Sequence, residues 1–241
     1  MEPATGDDGY RCREGICGNN KASDMAKILK IMQETLLTDN YAKIVQQNLQ
    51  KLYTKLSPDL ERNLPAHLDD QGFVFNAFGE KCTITPQGIT IGDREYPAIH
   101  GILISLYALN VTPDICLLFP FKSFREFPDS MPYVGAFSTH TEQLLVPHVS
   151  EIRESAALIT QYFNGEDVAV QAGGDFAFTL FPLPKIALCY IFYEADEDFP
   201  ASVTCLFSNN ASQFLPIDGL ADVGEYTSRK IVDLISGLVK G

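Results

Sequence analysis

A chain of 241 residues, 46% of them hydrophobic, is long enough to bury a substantial core as one large domain or two small ones. Its 31 acidic against 18 basic residues leave a formal charge of −13, which repels phosphate backbones and anionic headgroups and so argues against nucleic acid and membrane as partners. No apolar run approaches the roughly 20 residues that span a bilayer, and the N-terminus lacks a basic segment followed by an apolar one, so a cytoplasmic protein is expected. Against such acidity a local basic spot would stand out as an anion or partner site.

Residues 1–22 are rich in Gly, Asp and Asn without periodicity and read as a flexible tail. Ser23 then caps a helix carrying Met25, Ile28, Leu29, Met32 and Leu36 at helical spacing. Tyr41, Ile44, Val45, Leu49, Leu52, Tyr53 and Leu56 stripe a second helix, which Ser57-Pro58 ends. Together they form a helical extension, residues 23–56, ahead of a single domain, residues 57–241.

From Phe73 the period shortens. "FVFNAFG", "KCTITP" and "GITIG" are β-type runs separated by Gly79, Pro86-Gln87-Gly88 and Gly92, which makes a small antiparallel meander. Pro97 opens "AIHGILISLYALN", a mostly buried helix with His100 in its first turns. The aromatic, proline-punctuated stretch from Leu117 to Phe137 is an irregular packed segment. Helices follow in "YVGAFSTH", "TEQLLVPHV" and "SEIRESAALITQYFNG", the last with Ile152, Ala156, Ile159 and Phe163 on one face and Gly165 as its stop.

Three further strands are expected at Phe176 to Phe181, Lys185 to Glu194 and Ser202 to Phe207, the middle one apolar on both faces and therefore central. A helix from about Ile217, with Leu220, Val223, Ile231, Leu234, Ile235 and Leu238, closes the chain. The fold class is α+β, with antiparallel sheet regions packed against helices and preceded by a helical N-terminal extension.

Leu183-Pro184, the strand to Tyr193, Asp196-Glu197-Asp198-Phe199-Pro200, Leu206-Phe207, Ala211-Ser212 and Leu215-Pro216, preceded by "FKSFREFPDSMPYVGAF", resemble an uncharacterised family known as domain of unknown function three-seven-eight-six. The resemblance runs from Leu56 to Leu238 and implies the cytoplasm of an anaerobic bacterium or archaeon. Some relatives are joined to iron-sulfur domains like those of corrinoid proteins, which implies a link to one-carbon or redox metabolism. It carries over no catalytic residues, because the family has no established activity. Family members usually have Asp after the Leu-Phe pair and often Trp before the acidic run, whereas this chain has Ser208 and no Trp.

Two stretches are candidate sites. Glu194, Asp196, Glu197 and Asp198 could offer oxygens to a hard cation; equally they form a solvated hairpin tip, anchored by burial of the Phe199 ring and by Pro200. Lys122 and Arg125 lie among Phe119, Phe121, Phe124, Phe127, Tyr133 and Phe137. That composition suits the wall of a ligand cavity, with Arg125 placed for bidentate recognition of an anion. Alternatively Arg125 pairs with Glu126 or the acidic run, and the aromatic rings are core.

Cys12 and Cys17 are spaced unlike paired zinc or iron-sulfur ligands, so they belong to the tail or form half of an intermolecular metal site or a labile disulfide. Cys82, Cys116, Cys189 and Cys205 sit alone in apolar contexts and act as small buried hydrophobes. Pro147 separates His140 from His148, so helix geometry does not bring the two to one metal, and His100 is a structural histidine. No nucleophile-elbow pattern surrounds any Ser, Thr or Cys.

The expectation is a non-catalytic binding or accessory protein of anaerobic one-carbon or redox metabolism. It would recognise a corrinoid, another cofactor or small molecule, or a protein partner, which could itself carry an iron-sulfur cluster. One alternative is an enzyme in which the acidic turn Asp196 to Asp198 faces Lys122 and Arg125. Another is a structural subunit of a larger complex. The enzyme alternative requires the two stretches to line one concave pocket.

Overall fold

The computed structural model describes residues 40–237 apart from 56, 71, 93, 96, 97 and 169–172. The expected tail, the Ser23-capped helix and the pair Cys12 and Cys17 lie outside the described residues. The chain divides into two compact units, Met1–Asn40 and Tyr41–Gly241, and the helices and strands from Tyr41 onward belong to the second.

Helix α1 is seen through residues 41–54. Val45, Leu49 and Leu52 bury its inner face in the main core, Asn48 Nδ2 donates to Ser105 Oγ at 3.0 Å, and Tyr53 Oη donates to the Ile84 carbonyl at 3.0 Å. It is therefore a wall of the domain and not an appendage. After Ser57 and Pro58 comes the short helix α2 (Leu60–Asn63), held by fully buried Leu64 and by Leu60.

The first sheet is a meander in sequence order, β1 (His67–Leu68), β2 (Phe73–Ala77), β3 (Glu80–Ile84), β4 (Ile89–Ile91) and β5 (Arg94–Glu95), antiparallel throughout. Phe78 and Gly79, with φ of 52° and 80°, make the two-residue turn between β2 and β3. A Cβ on Gly79 would stand 2.1 Å from the Tyr162 ring, so glycine here serves both the turn and the close packing of a later helix. Helix α3 (Ala98–Asn110) follows. Just beyond its end Lys185 Nζ donates to the Thr112 carbonyl at 2.6 Å, a cation at the negative end of the helix.

The second sheet has the order β6-β10-β9-β8-β7, again antiparallel. Its members are β6 (Lys122–Ser123), β7 (Glu166–Asp167), β8 (Phe176–Leu183), β9 (Ile186–Tyr193) and β10 (Ser202–Phe207). As its apolar run on both faces requires, β9 is central and buried up to Phe192. Leu188, Tyr190 and Phe192 enter the main core, while Cys189 and Ile191 join Val168 and Ala177 in a small cluster on the other face. The amphipathic C-terminal helix covers the core side, with Tyr190 Oη 3.0 Å from Ser228 Oγ. The two sheets meet where Phe78 N–H donates to the Pro182 carbonyl at 2.7 Å.

Between the sheets the chain forms α4 (Val134–Phe137), a π turn (Ser138–Glu142), α5 (Val149–Glu154) and α6 (Ala156–Tyr162); α7 (Ile217–Ile235) closes the fold. The helix expected to run unbroken to its stop at Gly165 divides at Ser155, where φ −97° and ψ 5° depart from α geometry, and both halves still bury an isoleucine, Ile152 and Ile159. The π turn has a defined task. Glu142 accepts the Cys205 N–H of β10 at 3.1 Å and the Ser138 hydroxyl at 3.0 Å, covering β10 beyond the reach of two-residue β6. No helix among the described residues is long and apolar enough to cross a membrane.

Candidate functional site

The acidic turn joins β9 to β10 and is organised around Asp196. Its Oδ1 accepts the N–H groups of Asp198 at 2.8 Å and Phe199 at 2.7 Å, and Asp196 N–H donates to the Phe199 carbonyl at 3.0 Å. Asp196 thus replaces backbone partners inside the loop, as Asp does in turns. Phe199 is 70% exposed, which corrects the expectation of a buried anchor: the Asp196 hydrogen bonds hold the turn, and no aromatic burial is needed. Glu194 is paired with Arg153, and its N–H donates to Asp175 Oδ2 at 2.7 Å. Glu197 and Asp198 are exposed. Among the described residues no group of three or more His, Cys, Asp or Glu is placed to hold a metal ion.

The aromatic segment closes one end of the core. Phe124 stacks on Phe137 at 4.4 Å between ring centroids, and Phe207 meets Phe124, Phe127 and Phe137 at 5.9, 5.8 and 5.6 Å. Phe127 and Phe137 are therefore buried packing, and Phe137 also lines, with Tyr133, a small hollow against the C-terminal helix. Lys122 lies 5.8 Å from the Phe127 ring centroid. Arg125 is exposed and makes no ion pair among the described residues, so its expected pairing with Glu126 or the acidic run is not formed. Glu126 instead accepts Ser123 N–H at 2.6 Å and Ser123 Oγ–H at 2.8 Å, which hold its carboxyl below the usual range.

The two stretches do not share a pocket. Ser202 pairs with Tyr193 at the acidic end of β10, while Leu206 and Phe207 pair with Ser123 and Lys122 at the other. At the rise of an extended strand these ends are roughly 17 Å apart. Arg125 and Asp196, Glu197 and Asp198 therefore do not form the expected composite site.

The structure places a cleft elsewhere, between α1, α2 and the end of α3, with a volume of about 600 Å³. Leu52, Leu60, Ala108, Leu109 and Val111 are its apolar lining, and Gln47, Gln50, Lys51 and Lys55 its polar one. Gln47, Gln50, Lys51 and Thr54 follow i, i+3, i+4, i+7 spacing, so one face of α1 presents all four to the cleft. Asn63, also a lining residue, is only 8% exposed, and its Oδ1 is buried with no hydrogen-bond partner among the described residues. A buried acceptor left unpaired costs about 1–3 kcal/mol unless something supplies a donor.

The sequence holds a signal for this cleft in its charge pattern and not in any motif. From Tyr41 to Pro58 there is no Asp or Glu, yet Lys43, Lys51 and Lys55 are present, in a chain where acids outnumber bases 31 to 18. Asn63 gives no such sign, because its burial depends on α1 and α3 closing over α2.

Two other polar clusters flank α7. Glu80 Oε1 accepts Lys230 Nζ at 2.6 Å and the Tyr162 hydroxyl at 3.1 Å, which ties α7 to β3 and α6. Beside them His100 packs 4.0 Å from the Tyr226 ring; burial first, then Lys230, lowers its pKa to about 4 against the opposing pull of Glu80. Further along α7, His140 Nδ1 lies 3.1 Å from Glu225 Oε2, in a hollow of about 120 Å³ shared with Tyr133, Asp218 and Asp222. The partly dehydrated position of Asp222, with Glu225 and Asp218 beside it, raises its pKa to about 6. His148 is not among the lining residues of this hollow, so the two histidines do not combine there.

A family model described as a domain of unknown function, DUF3786, matches residues 57–230. Neither the comparison with curated proteins nor that with solved structures finds a match.

Proposed function

The chain belongs to the DUF3786 family, and from that premise we propose that it is a non-catalytic binding protein, an accessory component that holds a small organic molecule in the cleft between α1, α2 and α3. The observation that carries this is the cleft itself: about 600 Å³, with apolar side chains, a few polar groups and Asn63, whose buried acceptor has no partner among the described residues, in its lining. Ligand sites have that size and make-up. A role in anaerobic one-carbon or redox metabolism, with an iron-sulfur protein as partner, is the setting we propose for it. A corrinoid is the less favoured ligand, since Phe124, Phe127 and Phe137 of the segment that would have been its wall pack into the core on Phe207.

Native mass spectrometry of the full chain, purified without oxygen, and titration with the neutral fluorophore N-phenyl-1-naphthylamine and with cobalamin test this. One small molecule per chain, or saturable 1:1 binding of a probe, is expected, and Gln50→Trp abolishes it by filling the cleft from an exposed position. No bound mass together with no saturable binding overturns the proposal, and so does binding that Gln50→Trp leaves intact. Cobalamin binding that survives Gln50→Trp would move the site elsewhere.

A further inference from the structure

Resting on that binding reading, we infer that the cleft selects an organic anion: an apolar ring or chain against Ala108 and Leu109, a carboxylate or phosphate at Lys51 and Lys55, and a polar hydrogen delivered to Asn63 Oδ1. The charge pattern is the first support. Among the described residues twelve line the cleft, and none of these is Asp or Glu, although acids outnumber bases 31 to 18 in the chain. Lys51 and Lys55 are one helical turn apart, and neither makes an ion pair among the described residues.

Like charges at that spacing repel by a few tenths of a kcal/mol in an isolated helix. An anion between them removes that repulsion and adds charge-assisted hydrogen bonds. Among the described residues Arg153, Arg229 and Lys230 sit against Glu194, Glu225 and Glu80, whereas Lys51 and Lys55, like the exposed Arg125, have no such carboxylate. Both lysines line the cleft, and none of its described lining residues is a carboxylate.

Asn63 is the independent support. It lines the cleft, and its buried Oδ1, which accepts only, has no partner among the described residues, so it calls for an N–H or O–H on the ligand. Leu52, Leu60 and Val111 complete the apolar walls and suit a ring or a short chain. A free inorganic anion would leave those walls empty and Asn63 unanswered.

Two probes with one body separate the terms: 8-anilino-1-naphthalenesulfonate, which has an N–H and an anionic group, and N-phenyl-1-naphthylamine, which has the same rings and N–H without the charge. Calorimetric titration of the full chain should show 1:1 binding of both, with the anion tighter by roughly tenfold. The double variant Lys51→Gln/Lys55→Gln should bring the anion to the level of the neutral probe, with the anion losing far more affinity than the neutral probe does. Raising the salt from low to about 0.5 M should narrow the gap in the wild type.

Equal affinities in the wild type, or a preference that survives the double variant, overturn the anion inference and leave the binding proposal standing. Failure of both probes to bind overturns the two together. Titration with 1-naphthaleneacetate and 1-naphthyl phosphate then distinguishes the sources of the anion: tighter binding of either than of 1-naphthol supports the inference, and no advantage for both sinks it.

Discussion

Two regions of this protein set positive charge beside apolar surface, and they use it in opposite ways. At Lys122 to Phe137 the aromatic rings fold inward on Phe207 and leave Arg125 pointing at solvent. In the cleft the apolar side chains line a space, and Lys51 and Lys55 line it with them. The first region is richer in the residue types of binding sites, and the second has the geometry of one. Composition says which groups are available; only the tertiary fold says whether they surround a volume or fill it.

The sharpest way to break this contrast is to truncate the centre of the aromatic cluster. Phe207→Ala should lower the urea unfolding free energy by about 3–5 kcal/mol, as large-to-small changes of a buried ring do. A loss under about 1 kcal/mol would show that the segment is loosely packed and restore it as a ligand wall. In the cleft the opposite sign is expected. Asn63→Leu removes a buried, unpaired acceptor and should stabilise the free protein by about 1 kcal/mol while weakening the naphthalene probes. Stabilisation without loss of binding would mean that Asn63 does not touch the ligand.

Asp222 provides a control in which charge alone decides the outcome. Its carboxyl binds a proton more tightly in the fold, with a pKa of about 6 against an ordinary 3.8, so its stabilising contribution is complete below pH 3.8 and is lost as the pH rises through 6. Asp222→Asn should therefore raise the melting temperature at pH 7.5 and have a smaller effect at pH 4. The same shift at both values would assign the effect to packing.

The smallest effect belongs to the exposed cation. Arg125→Ala should change stability by less than about 0.5 kcal/mol and leave probe binding unaltered. Lys51→Gln should be as quiet in stability, yet loosen the anionic probe, and a matched response of the two variants would erase the distinction between the regions.

Much of the fold was legible because local periodicity decided it. The alternation in "FVFNAFG" and "KCTITP", the unbroken apolar run of β9 and the stripe of α7 each have a single efficient way to be buried. Ser155 was less legible, because whether a serine interrupts a helix depends on what the turns on either side must cover. Phe199 failed for a related reason: an aromatic residue before proline suggests an anchor, but the Asp196 side chain had already supplied the hydrogen bonds that close the loop. The expected meeting of Arg125 with the acidic turn required a register, and register comes from pairing, which a sequence pattern does not state. Lys51, Lys55 and Asn63 carry no motif. Their relation depends on α3, which begins more than thirty residues after Asn63.

The π turn at Ser138–Glu142 has a consequence for how this protein tolerates change in length. Such a turn holds one more residue than an α turn, so the chain keeps a surplus residue at the point where Glu142 must reach β10. Deleting Thr139 would take out the surplus and return the turn to ordinary winding, with the residues on either side near their present phase. Removing the carboxylate instead, as in Glu142→Ala, would leave the Cys205 N–H without its partner. At this point the protein can spare a residue more easily than a carboxylate.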